Sequence, residues 1–229
     1  MAGSGASKRV LVTAGPNHEY IDAIHYLGNV SSGALGRFVA EECLERGLPV
    51  TFVHGPGSVV PAPRPALRPA LRPDLRVVAV RGVSDLLATL GAELPGGAYG
   101  AIFHAMAVLD YVPEGYQDKK TASGLDEWVV RFVKAPKVID HIKQWAPGIF
   151  LAACKLEYQV TAEELVASAQ GLARRTGADL IVANDYHVML GGEHHAFIVR
   201  AGAPPEPLKG KRDIARAVAS AIAAALGGR

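Results

Sequence analysis

The succession from Val10 to Arg46 limits the fold more than any other part of this chain. Val10, Leu11 and Val12 form a short apolar run behind a basic turn, and the run ends at Gly15. A brief, uninterrupted apolar strand is what a parallel sheet buried on both faces requires. Further on, Phe38, Val39, Cys43 and Leu44 recur at helical spacing, with Glu41, Glu42 and Glu45 mostly between them, and Gly47 closes the pattern as a C-cap. Ser31, Ser32 and Gly33 lie just before that helix. Hydroxyls and a residue without Cβ at a helix start leave backbone N–H groups able to meet an anion, although the same residues also make an ordinary N-cap. The glycines at 28, 33 and 36 do not have the spacing of a dinucleotide-binding turn. The stretch from Gly15 to Ser32 is too long for a simple strand-to-helix connection, and long ordered loops tend to carry function.

The pattern then repeats. Strands are expected at Pro49–His54, Arg76–Val80 and Gly100–Ala105, with a helix capped by Ser84 running through Leu90. After a polar interval come a helix with Pro136 at its first position through Trp145, a strand at Phe150–Cys154, a helix at Thr161–Arg175 and a strand at Leu180–Ala183. Ala196–Val199 is a candidate antiparallel edge, and Lys211–Leu226 a closing helix. Strands alternating with helices in this way predict an α/β, three-layer, Rossmann-like fold: a mostly parallel sheet with helices on both faces. Residues 1–8 are expected to be disordered, and 9–229 to form a single domain. Residues 55–75 are Pro/Arg-rich, with a tandem ALRP repeat, and predict an extended solvated loop. Residues 111–135 have no helical period. Glu127–Val133 alternates as a strand with Trp128, Val130 and Phe132 on one side, which predicts a hairpin arm. An exposed edge of that kind needs a partner, so a homodimer built through this arm is expected.

Composition excludes several classes. With 229 residues, 49% hydrophobic and 20% charged, the chain can bury a full core. A net charge of +2 with no basic run gives no argument for nucleic acid. The apolar runs are too short to span a bilayer and the N-terminus lacks a signal-peptide core, so no membrane and a cytoplasmic setting are expected. Two cysteines, Cys43 and Cys154, in buried elements fit reduced thiols rather than a metal knuckle.

Four expected strands lead into polar residues: Asn29 after the first, Asp110 after the fourth, Lys155 and Glu157 after the fifth, Asn184 and Asp185 after the sixth. Open parallel sheets bind ligands at these carboxyl ends. Position alone supports an α/β enzyme that binds a phosphorylated ligand.

Several segments resemble one family. VTAGPNHEYIDAIHYLGNVSSGALG is similar to the opening of the phosphopantothenoylcysteine synthetases, with its strand end, D-x-V-R segment and N-x-S-S-G turn. AMAVLDYVP, KTAS, CKLE and DLIVAND match later segments in family order, so the resemblance covers roughly residues 9 to 225, in the form without a decarboxylase domain. It implies a ligase that joins cysteine to 4'-phosphopantothenate in coenzyme A biosynthesis. The carboxylate is activated as an acyl-nucleotidylate by CTP or ATP with Mg²⁺, and the cysteine amine then displaces the nucleotide. It implies catalytic roles for Asn29, on the acyl-nucleotidylate, and for Lys120 on the phosphates, with Lys119 as the adjacent alternative. Ser31, Ser32, Gly33, Ala105, Met106, Asp110, Pro136, Lys137, Val138, Ile139 and Cys154 would surround the nucleotide, with Arg174 or Arg175 near the triphosphate. His25, Lys155, Asn184 and Asp185 would face the acid substrate; which residues would hold the Mg²⁺ stays open. His25 stands where the family has arginine and Gly171 where a lysine is common. A neutral imidazole is a weaker phosphate ligand than a guanidinium. A related ligase acting on another acid, or a non-catalytic nucleotide-binding homologue, stays open as an alternative.

Overall fold

The computed structural model describes residues 9–62, 74–192 and 194–227. The expected disorder of residues 1–8 and the ALRP repeat lie outside them. The main sheet is built from β1 (Val10–Ala14), β4 (Val50–His54), β5 (Leu75–Ala79), β6 (Ala101–His104), β9 (Phe150–Glu157), β10 (Leu180–Asp185), β11 (His195–Val199) and β12 (Glu206–Lys209). Their order is β12-β11-β10-β9-β6-β1-β4-β5; all neighbours are parallel except β10–β11 and β11–β12. The expected mostly parallel sheet is therefore present. Ala196–Val199 is antiparallel as expected but is not the edge, because β12 pairs outside it.

Alternation along the strands divides the core into two layers. Val10, Val12 and Ala14 face one side, where α1 (Ala34–Glu45) and α6 (Lys211–Ala225) cover the sheet through Val39, Cys43, Val218 and Ile222. Leu11 and Ile102 face the other, under α2 (Val83–Glu93), α3 (Val138–Trp145) and α4 (Ala162–Thr176) through Leu86, Ile142 and Leu165. Burial on both faces is why these strands read as continuous apolar runs. Gly36 allows α1 to lie against β1: a Cβ there would fall 2.6 Å from the Ala14 Cβ.

The helix ends follow the sequence in part. Leu48 N–H donates to the Cys43 carbonyl and Gly47 N–H to that of Leu44, the paired bonds of a Schellman end, with Gly47 at φ 76°. Thr161 and Glu164 form a capping box on α4. Two expected caps are corrected. Ser84 lies inside α2, whose N-cap is Gly82, and the carboxylate that meets its first N–H is Glu19, 2.5 Å from Val83 N. Pro136 precedes α3, whose N-cap is Lys137.

Two small sheets stand outside the main one. The long polar stretch after β1 is an antiparallel hairpin of β2 (His18–Tyr20) and β3 (Tyr26–Gly28). The arm pairs β7 (Tyr111–Pro113) with β8 (Phe132–Lys134). The expected strand at 127–133 is thus shifted: only 132–134 is strand, and Trp128 instead packs edge-on at 5.0 Å from the His25 ring. A short α5 (Tyr186–Leu190) follows β10.

Candidate active site

The strand order reverses direction between β1 and β6, which makes the crevice at their carboxyl ends the expected ligand position. Beyond β6 the backbone stays tied to β1: Ala105 N–H donates to the Thr13 carbonyl and Ala107 N–H to that of Gly15. Thr13 Oγ1 accepts the Met106 N–H at 3.3 Å and lies 2.8 Å from His104 Nδ1. The hydroxyl thus ties the β6 histidine to the backbone that follows it. Burial pushes the His104 imidazole down to about 4, so it is neutral at physiological pH. Asn17 is fully buried, donates its N–H to the Ala107 carbonyl, and meets no protein partner with either amide atom of its side chain. Such an amide suits an ordered water or a ligand.

The other wall is the start of α1. Gly33 is its N-cap in the left-handed region at φ 72°, where a side chain would be strained and its Cβ would reach 3.0 Å from Gly15 N. No side chain caps the helix and no acidic residue lies in its first turn. Ser31 Oγ turns back to accept the Gly33 N–H at 3.3 Å, and the Ser32 carbonyl accepts the Val59 N–H. The serines therefore shape the loop and leave the positive end of the helix uncovered.

Asn29 closes this crevice on one side. Its Nδ2 donates to the carbonyls of Ala107 at 3.1 Å and Val108 at 3.3 Å. The amide is thus turned towards the Ala105–Asp110 segment rather than across the helix start. Asp110 pairs with Lys137 at the exit. Pro136 is exposed beside it, whereas Val138 is buried in the core and Ile139 packs against it, so these two offer backbone only.

Lys119 and Lys120 are exposed and have no ion-pair partner among the described residues. Their loop is held by the hairpin turn: Gln117 N–H donates to the Ile21 carbonyl, and Thr121 N–H to Asp22 Oδ2 at 2.8 Å. Asp22 is fully buried and also accepts the N–H groups of Ile24 and His25 and the His25 ring. Burial alone would raise its carboxyl, but the His25 ring and the backbone N–H groups outweigh it and hold the group far below the usual carboxylate range. His25 is therefore engaged through Nδ1.

A second group of polar residues lies at the ends of β9 and β10. Burial pushes the Cys154 thiol up to about 12, so it is a neutral, inert thiol. Lys155 pairs with Glu157 at 3.0 Å, and Glu157 accepts the Ser168 hydroxyl, which leads in holding its carboxyl below the usual range. Asn184 donates to the His195 carbonyl at 3.0 Å, and Asp185 accepts the N–H groups of Val160 and His187. Asn184 and Asp185 thus fix β11, α5 and the loop after β9. Arg175 is not brought to either group. It lies in the last turn of α4, which leads back to the start of β10, and it pairs with Asp140 on α3. Sequence reasoning assigned no role to Asp22, Thr13 or His104. Asp22 bonds its neighbours Ile24 and His25, but Thr121 lies 99 residues away, and Thr13 and His104 are 91 apart; no periodicity reports such contacts.

Comparison with known proteins bears on the family and the fold. Residues 5–226 match the DNA/pantothenate metabolism flavoprotein C-terminal domain family. A coenzyme A biosynthesis bifunctional protein CoaBC of Thermococcus kodakarensis is 35% identical over 209 residues, 91% of this chain and 49% of that protein. The chain therefore spans about half the length of that relative. The DNA/pantothenate metabolism flavoprotein of Streptococcus pneumoniae superposes with a TM-score of 0.82 at 27% identity, covering 94% of this chain and 98% of the other. A Cab2 mutant in complex with phosphopantothenate-cysteine shares the fold, with a TM-score of 0.78 at 17% identity over 97% of this chain and 87% of that one.

Proposed function

We propose a function from one premise: this chain belongs to the DNA/pantothenate metabolism flavoprotein C-terminal domain family. It acts as a phosphopantothenate–cysteine ligase of coenzyme A biosynthesis. The similarity to a CoaBC protein and the phosphopantothenate-cysteine carried by the Cab2 mutant support this reading. The observation that carries it is the uncapped, acid-free start of α1 beside the β1–β6 crevice, a ready site for phosphate.

In this reading a carboxylate oxygen of 4'-phosphopantothenate attacks the α-phosphorus of CTP or ATP, and pyrophosphate leaves. The cysteine amine then attacks the acyl carbon, and the nucleoside monophosphate leaves. Lys120 or Lys119 neutralises the phosphates in the first step, while Asn29 serves the acyl group in the second. Among the described residues, no group of three or more His, Cys, Asp or Glu side chains is gathered to hold a metal. Mg²⁺ usually binds through one or two carboxylates and substrate phosphates, so here it would arrive with the nucleotide, and the exposed Asp110 is the carboxylate within the crevice mouth that could join it. The enzyme works in the cytoplasm as a homodimer. The exposed apolar side chains of the arm, Tyr111, Leu125, Val129 and Phe132, support the dimer.

The test is nucleotide-dependent pyrophosphate release with 4'-phosphopantothenate against pantothenate, run for CTP and ATP. Release confined to the phosphorylated acid supports the reading. A second reading, a ligase for another acid, is favoured by one observation: Asp22 already engages the His25 ring. Equal release with the unphosphorylated acid would select it.

A further inference from the structure

The turn of the β2–β3 hairpin holds a carboxylate with more bonds than a turn needs. An Asx turn at Asp22 requires one oxygen, and Oδ1 serves it by accepting the N–H groups of Ile24 at 2.9 Å and His25 at 2.8 Å. The His25 ring nitrogen lies between the two oxygens, 3.0 Å from Oδ1 and 2.8 Å from Oδ2. Oδ2 alone accepts the Thr121 N–H at 2.8 Å, from a residue 99 positions away in the chain. The whole group is removed from solvent. Charge-assisted bonds of this kind are stronger than neutral ones.

A second strap sits one residue earlier, where the Ile21 carbonyl accepts the Gln117 N–H at 3.0 Å. The hairpin turn therefore grips the loop at 117 and at 121. Only Asp118, Lys119 and Lys120 lie between the two grips, and all three are exposed. The same hairpin runs through Gly28 into Asn29, which is bonded to the Ala107 and Val108 carbonyls. One hairpin thus carries Asn29 at its base and clamps the two lysines at its tip.

We propose that Asp22 is a positioning residue that fixes the Lys119–Lys120 loop for the nucleotide step, so that the hairpin sets the lysines and Asn29 in one frame. This rests on the reading that one of those lysines meets the nucleotide phosphates. Holding the loop before the nucleotide binds removes the cost of ordering it during the reaction. Asparagine cannot replace Asp22, because its NH₂ would face the Thr121 N–H in one orientation and the Ile24 and His25 backbone N–H groups in the other.

Amide hydrogen exchange on the wild-type protein tests the clamp without any activity. The Thr121 amide should exchange much more slowly than those of Lys119 and Lys120; equal, fast exchange at all three would overturn the proposal. Asp22→Asn then tests its role. It should slow pyrophosphate release about ten- to a hundredfold, the scale of a misplaced catalytic group. In a Lys119→Ala/Lys120→Ala background it should add no further loss, because both changes remove the same contribution. The same loss in both backgrounds would make Asp22 a general support of the fold and overturn the role. If Asp22→Asn does not fold, Thr121→Pro, which removes only the N–H that Oδ2 accepts from the loop, takes its place in both backgrounds with the same expected and contradicting results. If the wild-type protein releases no pyrophosphate, the proposed function fails while the exchange result on the clamp stands.

Discussion

At the scale of single residues, Asn29 shows how far a side chain's type and its geometry can differ in what they reveal. Its position before the Ser31–Gly33 turn was legible, but the direction of its amide was not, because the Ala107 and Val108 carbonyls come from a segment 78 and 79 residues away. Bonds of 3.1 and 3.3 Å from an exposed amide are at the long end of the range, so under the proposed mechanism an acyl oxygen would replace one of them. Asn29→Asp removes both donors and sets a negative charge beside the developing oxyanion. The variant is expected to release pyrophosphate while amide formation falls about a hundredfold or more, the scale of one lost oxyanion donor. Mass spectrometry should then find accumulated acyl-nucleotidylate. Product formed from that intermediate at the wild-type rate would contradict the assignment.

At the scale of elements, the β1–β6 junction depends on a buried polar contact between Thr13, His104 and Met106. His104 is neutral in the fold, pushed by burial to about 4 against 6.5 when unfolded. Between those values the unfolded chain binds the extra proton. Stability is therefore full above pH 6.5 and falls as pH drops towards 4, by up to about 3 kcal/mol at roughly 1.4 kcal/mol per unit. His194, lowered to about 4 by burial first and then by Lys211 and His195, adds to the same window. Denaturant titrations at pH 7 and 4.5 should show the loss, and His104→Gln should make it smaller; an identical slope in the variant would assign the loss elsewhere. The elements themselves were largely legible. Runs such as Val10–Ala14 and Leu180–Asp185 are buried on both sides, and α4 carries its capping box in plain sequence. The β2–β3 hairpin was not, because strands of three residues carry no measurable alternation and owe their place to Arg81, Ala107 and Val83. The same limit shifted the arm strand to 132–134. Arg175 looked available because a sequence does not say which edge of the sheet a helix end reaches.

At the scale of the whole molecule, the two-stranded arm leaves Val129 77% exposed and Tyr111 59% exposed, and a lone hairpin is marginal in water. Sedimentation at micromolar concentration should give twice the 24.1 kDa chain mass, and Val129→Asp should return it to the monomer; a monomeric wild type would contradict the dimer. The central claim, though, is chemical: the β1–β6 crevice joins an acid to cysteine through an acyl-nucleotidylate. Its most direct test is isotopic. Carboxylate-¹⁸O 4'-phosphopantothenate is incubated with cysteine, Mg²⁺ and CTP or ATP, and the products are weighed. The account predicts one ¹⁸O in the released nucleoside monophosphate and an amide product carrying the other. Label found in orthophosphate, or no transfer to the nucleotide while amide forms, would contradict it.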